Sequence, residues 1–339
     1  MPPIDIPESD QTIEVFAIDN GTTLDVPAGT FIKPVYKGSE RFHYPAFVYL
    51  LKHSSGNVLF DLGIRKDWTN LPPHKVEGAQ KNGWNITTGE NIADILAEHG
   101  VAIKAVVWSH PHLDHVGDMS TFSKDTTLVT GRSFKTDFMP GYPHNPSSGF
   151  WDSDVNGRPV HSIDFEDGLK IGNFDAHDYF GDGSLYLLDT PGHMKSHMCG
   201  LARVLSEPSR FVFMGGDIAH HAGQLRPSKY RPLSTIRPQL RVVDLESANG
   251  AIQQIAEDES RTPFYRPSPG VHHDVEALET SLDAVRRFDA DDRVMILLAH
   301  DESLRQRLDF FPNSLSKCFD KATHDEIRWG FLEDFQKKA

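Results

Sequence analysis

Residues 110–115 read HPHLDH, which places three imidazoles and one carboxylate within six positions of the chain. In an extended segment, side chains two residues apart point to the same side, so His110 and His112 can reach one ion. A turn into a helix after them would bring Asp114 and His115 to a neighbouring point. Four ligands exceed the needs of one catalytic zinc ion, which keeps a position open for water. The spacing therefore predicts a site for two metal ions.

Further metal-binding residue types follow three apolar segments downstream, each where a predicted strand ends. These segments, with the residues that follow them, are 185–189 with His193, 211–214 with Asp217, and 294–299 with His300. Histidine and aspartate are common ligands of zinc. Three strands that each deliver such a residue at the same end would supply the remaining ligands of a two-metal site.

Strand and helix patterns alternate along the chain, which predicts the α/β or α+β class. The strands are expected at residues 12–18, 45–51, 58–61, 101–108, 126–130, 184–189, 198–205, 210–214 and 293–299, and the helices at 91–99, 244–256 and 274–288. Residues 58–60 are apolar throughout, as in a strand buried on both faces. Asp61 at its end is either a turn residue or a carboxylate near the site.

Composition excludes several classes of function. The chain has 339 residues and a formal net charge of −14, which argues against nucleic acid as a partner. No apolar run is long enough to cross a membrane. Cys199 and Cys318 suggest no disulfide framework, and the N-terminal residues carry no secretion signal. A cytoplasmic protein is expected.

The motif HPHLDH, Pro-Gly-His at 191–193, Gly-Asp at 216–217 and the late His300 resemble the metallo-β-lactamase superfamily over roughly residues 58–300. Residues 58–63 (VLFDLG) also look like the early strand and acidic turn of that family. The pattern is most similar to the N-acyl-homoserine-lactone lactonases, and fungal lactamases that open benzoxazolinone-type rings are a neighbouring alternative. The resemblance implies an αββα sandwich of two mixed sheets with helices outside.

The resemblance also implies a position for every ligand. His110, His112 and His193 would hold the first metal, Asp114, His115 and His300 the second, and Asp217 would bridge both. Zinc is the default metal for such ligands, and Mn, Fe or Co would use similar ones.

The implied enzyme is a hydrolase in which a hydroxide between the two ions opens a small cyclic ester, amide or carbamate. Asp114 would pass the proton to the leaving group. The lactonases carry a Tyr three residues after the bridging Asp, whereas this chain has His220. We expect His220 to act as a carbonyl or proton donor, with a plain structural hydrogen bond as the alternative. The change argues against acyl-homoserine lactones as substrates.

Two other functions remain as alternatives. A thioesterase of the glyoxalase II type would carry a C-terminal helical domain, whereas 39 residues follow His300 here. A non-catalytic, metal-stabilised binding protein would be expected to lack ligands, whereas all seven are present. His197, His272 and His273 are expected outside the ligand set.

We expect one domain over residues 1–339, with long loops at about 139–160 and 220–270 that cap the site. Tyr142, Phe150 and Trp151 of the first loop either wall a substrate pocket or pack in the core. A basic stretch from Arg226 to Arg241 either steers an anionic substrate or pairs with nearby acids. The expected partner is a small apolar or aromatic substrate, and the oligomeric state is not legible from the sequence.

Overall fold

The computed structural model describes residues 3–36, 39–233, 261–315 and 319–335. Within these ranges the strands are β1 (Glu14–Ile18), β2 (Thr23–Pro27), β3 (Ile32–Lys33), β4 (Arg41–Tyr44), β5 (Val48–Lys52), β6 (Val58–Phe60), β7 (Asn85–Thr87), β8 (Ala105–Val107), β9 (Thr127–Thr130), β10 (Val160–Ser162), β11 (Lys170–Ile171), β12 (Phe174–Asp178), β13 (Leu185–Asp189), β14 (Met198–Ser206), β15 (Ser209–Met214), β16 (Arg266–Pro267) and β17 (Val294–Leu297). The α-helices are α1 (Pro73–Lys81), α2 (Ile92–Glu98), α3 (Phe134–Asp137), α4 (Asp152–Val155), α5 (Val275–Asp289) and α6 (Lys321–Trp329). Each of the nine predicted strands is present, and the helix predicted at 244–256 lies outside the described residues.

Two six-stranded mixed sheets form the centre of the fold. The first has the order β1-β5-β6-β8-β9-β10, antiparallel from β1 to β6 and parallel from β6 to β10. The second has the order β11-β12-β13-β14-β15-β17 and is antiparallel except for the parallel pair β15 and β17. Their central strands are buried on both faces, which explains the uninterrupted apolar runs in the sequence.

Successive residues of these strands enter different layers, because side chains alternate between the two faces of a sheet. In β15, Val212 packs into the core between the sheets and Phe213 into the outer layer. In β6, Phe60 points into the same core and Leu59 into the opposite outer layer.

Helices cover the two outer faces. Ile92 and Leu96 of α2 pack on the first sheet, and Leu278, Leu282 and Phe288 of α5 pack on the second. The order of layers is helix, sheet, sheet, helix, which confirms the predicted αββα sandwich.

The candidate ligands follow the C-terminal ends of strands from both sheets. The HPHLDH motif follows β8 of the first sheet, whereas His193, Asp217 and His300 follow β13, β15 and β17 of the second. A backbone hydrogen bond from Met198 N to Ser109 O, 2.9 Å long, joins the start of β14 to the residue before the motif. The two sheets therefore meet at the edge that carries the site.

The HPHLDH motif ends in a single turn at residues 112–116, and not in the helix expected from the sequence. The amides of His115 and Val116 both donate to His112 O, at 3.1 and 3.2 Å. Gly117 then adopts a φ of +50°, which ends the helical path. The single turn is sufficient to bring Asp114 and His115 beside the first two histidines.

Two small sheets, β4-β2-β7 and β3-β16, are absent from the sequence prediction. Their strands have two to five residues, and β7 has no buried residue, so their apolar pattern is weak. No helix in the described ranges combines the length and apolar character needed to cross a membrane. The organisation as one domain stays a prediction.

Candidate metal centre

Three imidazole nitrogens form the first group of the candidate centre. His112 Nδ1 lies 2.9 Å from both His110 Nε2 and His193 Nε2, and the latter two atoms are 3.2 Å apart. The three rings meet at interplanar angles of 80°, 85° and 88°. Their nitrogens therefore converge on one point from different directions, as metal-binding imidazoles do.

Asp217 connects this group to a second one. Its Oδ2 lies 3.3 Å from His193 Nε2, whereas its Oδ1 lies 2.9 Å from both His115 Nε2 and His300 Nε2. Asp114 completes the second group, with its Oδ2 3.5 Å from His300 Nε2 and its Oδ1 3.9 Å from His115 Nε2. One carboxylate thus faces a different set of nitrogen atoms with each of its oxygens.

Asp61 contacts the ring nitrogen of His115 that faces away from Asp217. Its Oδ2 lies 2.8 Å from His115 Nδ1, and its Oδ1 accepts the amide proton of Ser109 at 2.7 Å. The backbone of Asp61 is left-handed, with a φ of +63°, a conformation that aspartate tolerates better than most residues. Asp61 is therefore both the turn residue and the carboxylate near the site that the sequence left as alternatives.

Buried hydrogen bonds also orient His300 and Asp217. His300 Nδ1 donates to Pro45 O at 2.7 Å, which leaves the Nε2 lone pair directed at Asp217. The amide of Asp217 donates to His197 Nε2 at 3.0 Å, so His197 holds the backbone of Asp217 and does not face the candidate ligand atoms. Such supporting contacts set the tautomer and the direction of metal ligands.

Burial and charge divide the histidines into two classes. Burial lowers the pKa of His112 to about 4 and the pKa values of His110 and His193 well below the ordinary value. Burial also acts on His115, but the carboxylates of Asp217, Asp61 and Asp114 outweigh it and raise its pKa well above the ordinary value. Burial thus favours the neutral form that metal ligands need in the first group, whereas the carboxylates around His115 favour a positive charge at that point.

The contacts within the cluster fit a pair of divalent cations. His115 Nε2 and Asp217 Oδ1 are buried and 2.9 Å apart, yet neither has a hydrogen-bond partner among the described residues. Both ring nitrogens of His220 are also buried without a hydrogen-bond partner among the described residues, although Nε2 lies 3.1 Å from Asp217 Oδ2. Buried polar atoms rarely lack hydrogen-bond partners. Here nitrogen and oxygen atoms that can each bind a metal lie close together without a hydrogen bond, which is the arrangement expected around a shared cation. Imidazole and carboxylate suit zinc and related metals.

A cavity of about 330 Å³ opens onto this cluster. His112, Asp114, His193 and Asp217 line its floor. Its walls combine apolar and polar groups from four parts of the chain, namely Phe31, His74, Lys75, Gly78, Ala79, Asn82, Trp84, Leu113 and Val271. Mostly apolar walls with a few polar groups are typical of a small-molecule site.

The structure brings together all seven residues predicted as ligands, which are His110, His112, Asp114, His115, His193, Asp217 and His300. Of the two predicted catalytic residues, Asp114 lines the cavity. His220 is not among the cavity-lining residues; its ring stacks on Phe31 at 4.5 Å and contacts Asp217.

The aromatic residues predicted for the pocket lie elsewhere. Phe150 is buried in the outer core against Trp108 and Phe134, and Tyr142 packs edge-on against Trp151. None of these three residues lines the cavity. Phe150 is buried in the outer layer of the first sheet. The cavity takes its aromatic walls from Phe31 and Trp84, which no motif marks in the sequence.

The basic stretch pairs with acidic residues where the structure describes it. Arg226 contacts the buried Asp289 at 2.9 Å, and Arg231 contacts Asp292 at 2.6 Å. These contacts favour ion pairing over substrate steering. Arg237 and Arg241 lie outside the described residues.

Comparisons with known proteins identify the family. The family model of the metallo-beta-lactamase superfamily matches residues 42–295. The chain is 39% identical to the metallo-hydrolase mfmC of Annulohypoxylon moriforme, over 98% of this chain and 90% of that protein. It is 38% identical to the gamma-lactamase FDB1 of Fusarium pseudograminearum, over 98% of this chain and 85% of that protein.

A solved quorum-quenching N-acyl homoserine lactone hydrolase has the same fold. It superposes with a TM-score of 0.59 at 17% identity, over 90% of this chain and 99% of that chain. At this identity the likeness concerns the fold alone. Since the family match covers most of the sandwich and every candidate ligand except His300, the chain belongs to the metallo-β-lactamase superfamily of metal-dependent hydrolases.

Proposed function

We propose that this hydrolase binds two divalent ions, zinc by default, and opens a small cyclic ester, amide or carbamate. The observation that carries the proposal is the position of Asp217, whose two oxygens face two separate groups of ligand atoms beside a cavity. The names of the relatives, a metallo-hydrolase and a gamma-lactamase, agree with this reaction class.

Two divalent ions held by the two ligand groups would supply a nucleophilic water at neutral pH and would polarise the carbonyl of the substrate. The protein contributes the direction of the ligands and the handling of protons. Asp114 lies at the cavity floor, so its carboxylate can carry a proton from the attacking water to the departing oxygen or nitrogen. His220 Nε2 lies 3.1 Å from Asp217 Oδ2, the oxygen that faces the first ligand group, and we expect it to help orient that carboxylate.

The cavity favours small, flat and largely apolar substrates. Phe31 and Trp84 offer aromatic faces, and Leu113 and Val271 add aliphatic surface. A volume of about 330 Å³ is at the lower end of ligand pockets, so a compact one- or two-ring substrate fits better than a long acyl chain.

Elemental analysis and a substrate panel test the proposal together. We expect two transition-metal ions per chain, and turnover of at least one class among lactones, lactams and cyclic carbamates. Thioesters are included in the panel to test the alternative of a glyoxalase II-type thioesterase. A protein that binds two ions but hydrolyses none of these classes would contradict the proposed function, and exclusive thioester hydrolysis would replace it.

A further inference from the structure

Lys75 places a positive charge at the wall of the cavity that contains Asp114. It lies in the first turn of α1, and its side chain is half-buried. Burial lowers the pKa of Lys75, whereas the nearby carboxylate of Asp114 acts in the opposite direction. Among the described residues, no carboxylate forms an ion pair with its ammonium group. Other lysines of this chain do form such pairs, for example Lys195 with Asp137 at 3.2 Å.

The end of the Lys75 side chain lies against Gly149, in the loop that follows α3. A Cβ atom built on Gly149 would lie 2.8 Å from Lys75 Cε, 3.3 Å from Lys75 Nζ and 3.4 Å from Pro111 O. Gly149 therefore packs against both the end of the Lys75 side chain and the backbone of the HPHLDH motif, which places the ammonium group beside that motif.

Two further polar atoms on the same wall lack partners. Trp84 Nε1 and His74 Nε2 are buried, and neither has a hydrogen-bond partner among the described residues. The indole N–H can only donate, as can the ammonium group of Lys75. A buried donor without an acceptor costs free energy, about 1–3 kcal/mol, unless a ligand supplies the acceptor.

We propose that Lys75 and Trp84 form a subsite for an anionic oxygen of the substrate. The inference rests on the proposed function, because it assigns the cavity to the substrate of the hydrolase. The preferred substrates are then compact aromatic rings that carry an oxygen anion or release one when the ring opens. The shared chemistry is one negatively charged oxygen beside an aromatic face.

Binding of a non-reactive anion tests the subsite directly. Benzenesulfonate is a weak metal ligand, and methyl phenyl sulfone is its neutral counterpart of similar shape. Titration calorimetry on the metal-loaded protein should give about tenfold tighter binding of the sulfonate, or about 1.4 kcal/mol. Lys75→Met should weaken sulfonate binding about tenfold and leave sulfone binding unchanged, whereas Lys75→Arg should retain the wild-type preference.

Matched variants separate this effect from general changes in charge or stability. Lys81→Met removes an exposed lysine from the same helix and should keep the preference. Trp84→Phe keeps an aromatic ring but removes the donor, and it should weaken sulfonate binding several-fold. The metal ions attract the sulfonate equally in all variants. A folded Lys75→Met protein that keeps the full wild-type preference for the sulfonate would overturn the proposal, as would a wild type without preference.

Kinetics then distinguish the two sources of the anion. If the oxygen is the leaving group, Lys75→Met should make kcat/KM of substituted dihydrocoumarins fall more steeply as the released phenol becomes less acidic. If it is a ring substituent, Lys75→Met should raise KM about tenfold for a carboxyphthalide and leave phthalide unchanged. An equal loss on all substrates would show a structural role. Wild-type turnover of neutral lactones tests the proposed function separately, and the sulfonate titration decides the subsite in either case.

Discussion

The Nδ1 atoms of His193 and His272 lie 2.9 Å apart. His193 directs its Nε2 into the first ligand group, so its Nδ1 carries the proton and donates to His272. Backbone bonds hold the same segment, because His273 N donates to His193 O and Asp274 N donates to Gly192 O, both at 2.9 Å. His272 therefore fixes the tautomer of His193 from about eighty positions further along the chain.

Replacement of His272 tests this contact. His272→Ala should lower the affinity for the first metal about tenfold or more, because His193 loses the acceptor that sets its tautomer. Competition with a chromophoric chelator measures the affinity. His273→Ala is the matched control, since the exposed His273 holds His193 through its backbone amide. Equal affinities for the two variants would contradict the assignment.

Asp61→Asn should weaken the second metal selectively. The amide nitrogen of Asn would donate to His115 Nδ1, which moves the ring proton to Nε2 and blocks the lone pair that faces Asp217. We expect a loss of about 10–100-fold in the second binding step and no change in the first. Asp125→Asn, at an exposed position, is the control. Simultaneous loss of both steps would point to a general folding defect instead.

Asp114→Asn should leave most of the metal bound but reduce kcat by about 10²–10⁴-fold, because the amide cannot carry the proton. Metal content and steady-state kinetics on the best substrate of the panel measure the two effects. Normal turnover by a metal-replete variant would remove Asp114 from the proton path.

His220→Phe should lower kcat without loss of metal. Phenylalanine can keep the stacking on Phe31, but it removes the nitrogen that lies 3.1 Å from Asp217 Oδ2. Without this nitrogen the Asp217 carboxylate is held less firmly, and we expect kcat to fall by about fivefold, equivalent to about 1 kcal/mol. His220→Ala should show the same decrease in rate and a lower melting temperature as well. Unchanged kinetics in the Phe variant would make His220 a packing residue.

Gly192→Ala should destabilise the fold more than Gly270→Ala. Both glycines have φ near +140°, at +135° and +140°, so backbone strain of about 1–3 kcal/mol is common to both variants. A Cβ on Gly192 would lie 2.3 Å from the backbone of Leu278, whereas one on Gly270 meets no atom within 4 Å. The clash adds roughly 1–3 kcal/mol, which chemical denaturation can measure. Equal free energies of unfolding would contradict the close approach of the Gly192 turn to α5.

The ligand set was predictable because metal-binding residue types follow the apolar runs that mark the strands. The strands before His193, Asp217 and His300 contain apolar runs at 185–188, 211–214 and 294–297, a pattern typical of strands buried on both faces. The position of Asp61 was predictable for the same reason, although its contact with His115 was not.

The cavity walls were not predictable, since no local pattern marks them. Phe31 and Trp84 belong to short, half-exposed segments, and the pairing of distant strands brings them to the site. Lys75 lies in the first turn of a helix that has only one buried residue, so the direction of its side chain depends on where that helix packs. The contact between His193 and His272 joins two turns that only the completed second sheet places side by side.

The two ligand groups draw on both sheets, and this division constrains when the enzyme can acquire its cations. The first group lacks a nitrogen until position 193 has been translated, and the second until position 300. A growing chain on the ribosome therefore displays HPHLDH without the residues that close either group. Tight capture of both cations has to wait until His300 has been made and the two sheets have docked.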